Sequence, residues 1–256
     1  MAEIYPAKVV CILGMHRSGT SCLAGSLEER GLFLGDVINF ATFNRRGNKE
    51  SPEIMRINND LMALNGGSWD NPPEDMRWND ELRTRRDMHI ASLDGRPIWG
   101  FKDPRTVFTL PFWQEALPDM HYVATFRHPF AVARSLQRRG PNLQPAIPPL
   151  ELWMKYNRKL LQHITAHDIP LVNFDWPADV YGKAVDYLAG HLGVASDAPA
   201  EDPFYEQSLR MSDGDVGTPQ SLSPEVRGVY DALLERAMPL SEIVGTAAMR
   251  STERPR

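Results

Sequence analysis

The apolar positions of the chain follow two rhythms. Four short runs, KVVCIL (8–13), PIWGF (97–101), HYVATF (121–126) and IPLVNF (169–174), are nearly continuous in apolar, β-branched and aromatic residues. Runs of that length without polar alternation suit parallel strands buried on both faces. Between them the spacing becomes helical. Residues 18–30 place Leu23 and Leu27 on one face and stop at Gly31, a C-cap residue. Residues 53–64 set Ile54, Ile57, Leu61 and Leu64 along one stripe; Tyr181, Ala184, Val185, Leu188 and Leu192 form another, and Val226, Val229, Tyr230 and Leu233 a third.

Strands alternating with helices predict an α/β fold around a largely parallel sheet, in which ligands bind beyond the C-terminal ends of the strands. The Pro-rich segment 140–150 reads as a loop near that edge, and 196–223, rich in Asp, Ser, Pro and Gly, as a long irregular connection before a C-terminal helix at 224–238. No repeat and no second core divides the 256 residues, so the chain reads as one domain. His163 and His167 stand four apart on a helical pattern, but with no third ligand beside them they read as exposed helix-end histidines.

Composition narrows the setting. A hydrophobic content of 42% supports a substantial core. No run reaches the roughly 18 apolar residues of a membrane helix, and the N-terminus lacks the features of a secretory signal, so the expected location is the cytoplasm, with no membrane span. Cys11 and Cys22 are the only cysteines and read as small hydrophobes in a reducing compartment. A net charge of −5 argues against a chain that coats nucleic acid. Against that acidic background, basic residues gather at His16/Arg17, Arg45/Arg46/Lys49, Lys102/Arg105 and Arg127/Arg134/Arg138/Arg139, a pattern suited to a small anionic ligand.

The chemistry concentrates in GMHRSGTS (14–21), directly after the first strand. A strand, Gly14, four residues, Gly19 and a hydroxyl-bearing helix start would aim backbone N–H groups and a positive helix end at an anion. A nucleoside-triphosphatase loop would carry Lys after the second Gly, to reach the β- and γ-phosphates. Thr20 stands there instead, and Arg17 supplies a cation from within the loop. A second strand-to-helix junction repeats the theme. Pro129 suits a first helical turn, Arg127 ends the preceding strand, and Ser135 follows eight residues later; a guanidinium fork and a hydroxyl suit a phosphate monoester.

With these residues in view, the chain resembles a known family. MHRSGTS is similar to the 5′-phosphosulfate loop of sulfotransferases that use 3′-phosphoadenosine 5′-phosphosulfate (PAPS), and YVATFRHPFAVARS (122–135) resembles their 3′-phosphate segment. Residues 44–73 and the KDPR element in 100–113 resemble bacterial-type members, and the likeness spans about 8–195. It implies a P-loop-like three-layer fold with a central sheet flanked by helices. It also implies a PAPS site in which Ser18, Gly19, Thr20, Ser21 and Cys22 surround the 5′-phosphate, Arg127 and Ser135 take the 3′-phosphate, and Arg210, in a late Ser-Leu-Arg, adds a contact. Arg17 would steady charge on the bridging oxygen, and Lys102 would touch the sulfuryl group or else pair with Asp103.

Transfer to a hydroxyl or amine calls for a general base. Where cytosolic members use a His after Lys-Thr, KDPR offers Asp103; Glu50 is the leading base, ahead of Asp103 and His16, with capping of the 52–64 helix as its alternative role. No metal is required, and the expected acceptor is a small molecule or glycan-like. Trp69, Trp78, Trp99, Phe112 and Trp113 are candidates for pocket walls or core, and Arg45, Arg46 and the 140–150 loop for acceptor selectivity. Two rival readings stand beside this one: a divergent nucleotide or small-molecule kinase, with Asp175 as metal ligand, and a non-catalytic nucleotide-binding module.

Overall fold

The computed structural model describes residues 7–41, 46–93, 95–139, 144–194, 204, 222–239 and 241. Its centre is a four-stranded, all-parallel sheet of β1 (Lys8–Leu13), β2 (Ile98–Lys102), β3 (His121–Phe126) and β4 (Leu171–Asn173) in the order β2-β1-β3-β4. Register is set by pairs such as Cys11 with Phe101 and with Tyr122. All four apolar runs are therefore strands, and each feeds a helix, as a parallel sheet demands.

Both sheet faces are covered, giving three layers. Val10, Ile12, Val123 and Val172 point to one side, against Leu23 and Leu27 of α1 (Thr20–Glu28) and Tyr181, Val185 and Leu188 of α7 (Ala178–Leu192). Val9, Cys11, Leu13, Phe101 and Phe126 point to the other. There they meet α2 (Pro52–Leu64), α4 (Thr106–Ala116), α5 (Pro129–Gln137), α6 (Pro149–His167) and α8 (Pro224–Arg236). Outside them lies α3 (Asp80–Ala91), which buries only Leu82 and Arg86. The fold is thus the α/β, P-loop-like three-layer arrangement expected.

Several local expectations need correction. α1 opens at Thr20 rather than Ser18, because Arg17 (φ 67°) and Gly19 (φ 87°) hold left-handed backbone that cannot belong to a right-handed helix. It ends at Glu28, short of residue 30, but Gly31 still closes it: Gly31 donates to the Glu28 carbonyl at 2.9 Å and Leu32 to that of Leu27 at 3.0 Å. Leu64 is exposed, because the buried face of α2 is centred on Ile54 and Leu61 and takes in Asn58 and Met62 instead. The Pro-rich loop ends sooner than 150, since Pro149 opens α6; 140–143 lie outside the described residues, as does most of 196–223.

His163 is not an exposed histidine. It is buried, and its Nε2 donates to the Val107 carbonyl at 2.7 Å. That carbonyl sits four residues before Pro111, which has no N–H to offer it, so His163 supplies the donor the helix lacks. Trp99, Phe112 and Trp113 are core residues, while Trp69 and Trp78 are half-buried. No helix among the described residues is long and apolar enough to cross a membrane.

Candidate functional site

The sheet order locates a crevice. From β1 the chain crosses to β2 on one side, and from β3 to β4 on the other, so the C-terminal ends of β1 and β3 diverge into helices that leave a gap between them. The 14–19 loop closes one wall of that gap and the β3–α5 junction the other. The walls are joined by hydrogen bonds: Thr125 Oγ1 donates to the Ser18 carbonyl at 3.1 Å, and Arg17 Nε donates to Ser135 Oγ at 2.8 Å.

Tight packing shapes the loop. Gly14, at φ 148°, lies so close to the Thr125 carbonyl that a Cβ would overlap it. A Cβ on Gly19 would run into the Phe174 ring at the end of β4. Arg17 holds positive φ without being glycine, the kind of strained backbone that collects at ligand sites. Past the loop the first helical bond is Leu23 N–H to the Gly19 carbonyl, at 2.9 Å, so the N–H groups before Leu23 lie outside the helix ladder. Ser18 Oγ is fully buried and has no hydrogen-bond partner among the described residues. Thr20 is buried beneath the loop, and Ser21 and Cys22 are half-buried. Donors gathered around a gap in this way can hold an oxyanion.

The cations set the electrostatics. Burial, followed by the nearby charges of Arg139 and Arg127, lowers the Arg17 pKa to about 10. A cation so placed gains stability when an anion arrives. Arg127 is buried at the mouth of the crevice, donates from Nε to Asp175 Oδ1 at 3.2 Å and lies over the Phe174 ring at 5.2 Å. Asp175 also accepts from the His128 N–H at 2.7 Å, so its carboxylate braces the β3–α5 junction. Pro129 opens α5 after Arg127, as its sequence position implied.

Lys102 pairs with Glu50, and not with its neighbour Asp103. Its Nζ donates to Glu50 Oε1 at 2.7 Å and to Ser21 Oγ at 3.3 Å, linking the loop to the entry of α2. Glu50 therefore does not cap α2; Ser51 holds the N-cap position, without a side-chain bond. Asp103 is fully buried, and its Oδ1 accepts from the Arg105 N–H at 2.8 Å and from Arg105 Nη1 at 3.0 Å. The same Arg105 Nη1 lies 3.9 Å from Glu50 Oε2. His16 is buried between Trp69 and Tyr156, ring centroids 4.9 and 5.7 Å away. Burial, and then the charges of Arg105, Arg139, Lys102 and Arg17, push its pKa well down, so the imidazole is neutral at pH 7 and a poor proton acceptor.

Hydrogen bonds thus link Arg17 to Ser135, Lys102 to Ser21 and Glu50, and Arg105 to Asp103, with Ser18, Gly19, Thr20 and Cys22 in the same loop and its helix start and with His16 and Arg127 near these charges. Arg210 and Arg45 lie outside the described residues, while Arg46 is half-buried. Three contributors were missed by motif reasoning: Thr125, which ties the loop to β3; Phe174, which roofs Gly19; and Arg139, whose charge reaches Arg17, His16 and Glu50 in space. Only the basic run at 127–139 hinted at the last. No protein-family model and no curated protein matches the chain.

Proposed function

We propose that this chain is a PAPS-dependent sulfotransferase that moves a sulfuryl group to a hydroxyl or amine. The observation that carries the reading is the 2.8 Å bond from Arg17 to Ser135, which brings a lysine-less phosphate loop and a second arginine-bearing junction to the same crevice. One adenosine donor charged at both its 5′ and 3′ positions asks for two such anion sites. The fit also draws on the Ser18 hydroxyl, partnerless among the described residues, and on the N–H groups of α1's first turn, outside its ladder. In this assignment Ser18, Gly19, Thr20, Ser21 and Cys22 surround the 5′-phosphate, and Arg127 and Ser135 bind the 3′-phosphate.

PAPS supplies an activated sulfuryl group, whose transfer resembles phosphoryl transfer in depending on positioning and charge rather than covalent help. Arg17 bears on the oxygen that leaves with the phosphate, and Lys102, anchored between Ser21 and Glu50, neutralises charge on the other side. Glu50 takes the acceptor's proton. Asp103 is the positioner of Arg105, and His16, held neutral, lines the acceptor side. These cations offset the donor's charge without a divalent metal. The two free cysteines suit the cytoplasm, the compartment we propose.

The reading is tested by following labelled sulfuryl transfer from PAPS, in the presence of a chelator, to a panel of alcohols, phenols, sugars and amines. Transfer that survives chelation and is lost in Arg17→Ala supports it. Bisphosphate binding without transfer to any acceptor would favour the binding module, and magnesium-dependent transfer from ATP the kinase.

A further inference from the structure

Beside the donor loop lies a group of polar atoms that the transfer itself does not use. Four of them are buried and have no hydrogen-bond partner among the described residues: the donors His16 Nε2, Arg105 Nε and Arg139 Nε, and one carboxylate oxygen, Asp103 Oδ2. His16 and Arg105 are each only 8% exposed. Arg139, two residues past the end of α5, is half-buried. Its guanidinium makes no ion pair and no side-chain hydrogen bond among the described residues, and it lies over the Trp69 ring, 5.5 Å from the centroid. Partnerless buried donors are rare because each forfeits its hydration; in Arg139, a half-buried residue, that holds for Nε.

The charge count points the same way. Arg105, Arg139, Lys102 and Arg17 all bear on His16, whereas the carboxylates beside them are Glu50, bonded to Lys102, and Asp103, bonded to Arg105. A third carboxylate, Asp70, acts on the neighbouring Tyr156 and accepts from the Ser68 hydroxyl and the Ala146 N–H, so four cations face three anions. Arg17 and Lys102 are taken up by the donor and by Glu50, which leaves Arg139 with no countercharge in contact among the described residues. Both Arg139 and Arg105 act on Glu50, the proposed base, or sit within its reach. An anion bound by Arg139 would thus lie on the acceptor side of the base.

We propose that the acceptor carries an oxyanion of its own, a carboxylate, sulfate or phosphate near the hydroxyl to be sulfated, held by Arg139, Arg105 and His16 with Trp69 as a flat wall. The inference rests on the sulfotransferase reading and names the substrate class for it. A neutral His16 donates one N–H to such a group, and two arginines offer forked donors matched to its oxygens.

The test is calorimetric, on the full chain saturated with 3′,5′-adenosine bisphosphate so that the donor site is filled. Glucuronate, glucose 6-sulfate and glucose 6-phosphate are titrated beside glucose. At least one of the three anions is expected to bind at least about tenfold more tightly than glucose, and Arg139→Gln, titrated with its donor site likewise saturated, to remove that advantage. The three anions distinguish which oxyanion is preferred. Bisphosphate binding with no preference for any anion over glucose would overturn this inference alone, as would a preference that Arg139→Gln leaves intact. Should Arg139→Gln fail to fold, Arg139→Lys serves in its place, keeping the charge but losing the fork, and an unweakened anion preference there overturns the inference. Failure of the wild-type chain to bind bisphosphate at all would overturn the donor reading and this one with it.

Discussion

Lys102 illustrates what single residues disclose and conceal. Its neighbour in sequence, Asp103, was an obvious partner, but side chains alternate along an extended strand and adjacent residues point apart. The partner came instead from residue 50, across the crevice, a pairing that no local spacing encodes. The loop residues were legible, because Gly14 and Gly19 at their spacing dictate a backbone shape; Arg139 was not, because its role depends on the three-dimensional convergence of β1, β2 and α5. Lys102→Met removes the cation from a buried carboxylate and is expected to lower stability by about 3 kcal/mol, measured by urea denaturation. Glu50→Gln is expected to abolish sulfuryl transfer while leaving bisphosphate affinity near that of the wild type. A Glu50→Gln variant with full turnover would remove Glu50 as the base.

The elements divide by how completely they are buried. α2, α7 and α8 each keep one wet face, so their apolar stripes were readable, whereas α1 has no exposed residue and showed only Leu23 and Leu27. α4 buries Thr106 through Leu110 together with Phe112 and Trp113, carries Pro111, and so has neither a period nor an uninterrupted helical pattern to read. α3 is charged on nearly every side and buries two residues, one of them Arg86, which donates to the Phe112 carbonyl at 2.5 Å and lies over the Phe112 ring. The His163–Val107 bond shows how α6 compensates the proline in α4. His163→Leu leaves the Val107 carbonyl buried and unpaired, and is expected to cost about 2 kcal/mol in denaturant unfolding. His163→Gln, which can still donate, is expected to cost less; equal losses would contradict the assigned bond.

Across the whole molecule, burial of ionisable groups fixes the acid response. Burial comes first among the causes that lower the pKa values of His16, His128 and His163 below the ordinary 6.5. As pH falls through 6.5 the unfolded chain takes up protons that the folded one refuses, so the stability is present above that pH and declines below it. Glu115 acts in the same direction at lower pH: bonds from Arg83 and Trp78 draw its pKa down from 4.5 to about 2, so its contribution fades between those values. Denaturation midpoints are expected to fall between about pH 8 and about pH 5.5, and more steeply below about pH 4.5. A midpoint that rises on acidification would contradict the buried, neutral histidines. At this scale the sequence conveyed the layers and strand runs, since periodicity alone encodes them; the crevice emerged only once the strand order placed β1 beside β3.

The central claim is that two strand-to-helix junctions bind the two charged ends of one adenosine donor. It is tested most directly by titrating the chain with 3′,5′-adenosine bisphosphate in a chelating buffer and, separately, with ATP and magnesium. The account predicts chelator-resistant binding of the bisphosphate, tighter than that of ATP and weakened in both Arg17→Ala and Arg127→Ala. Tighter, magnesium-dependent binding of ATP, or bisphosphate binding indifferent to both arginines, would contradict it.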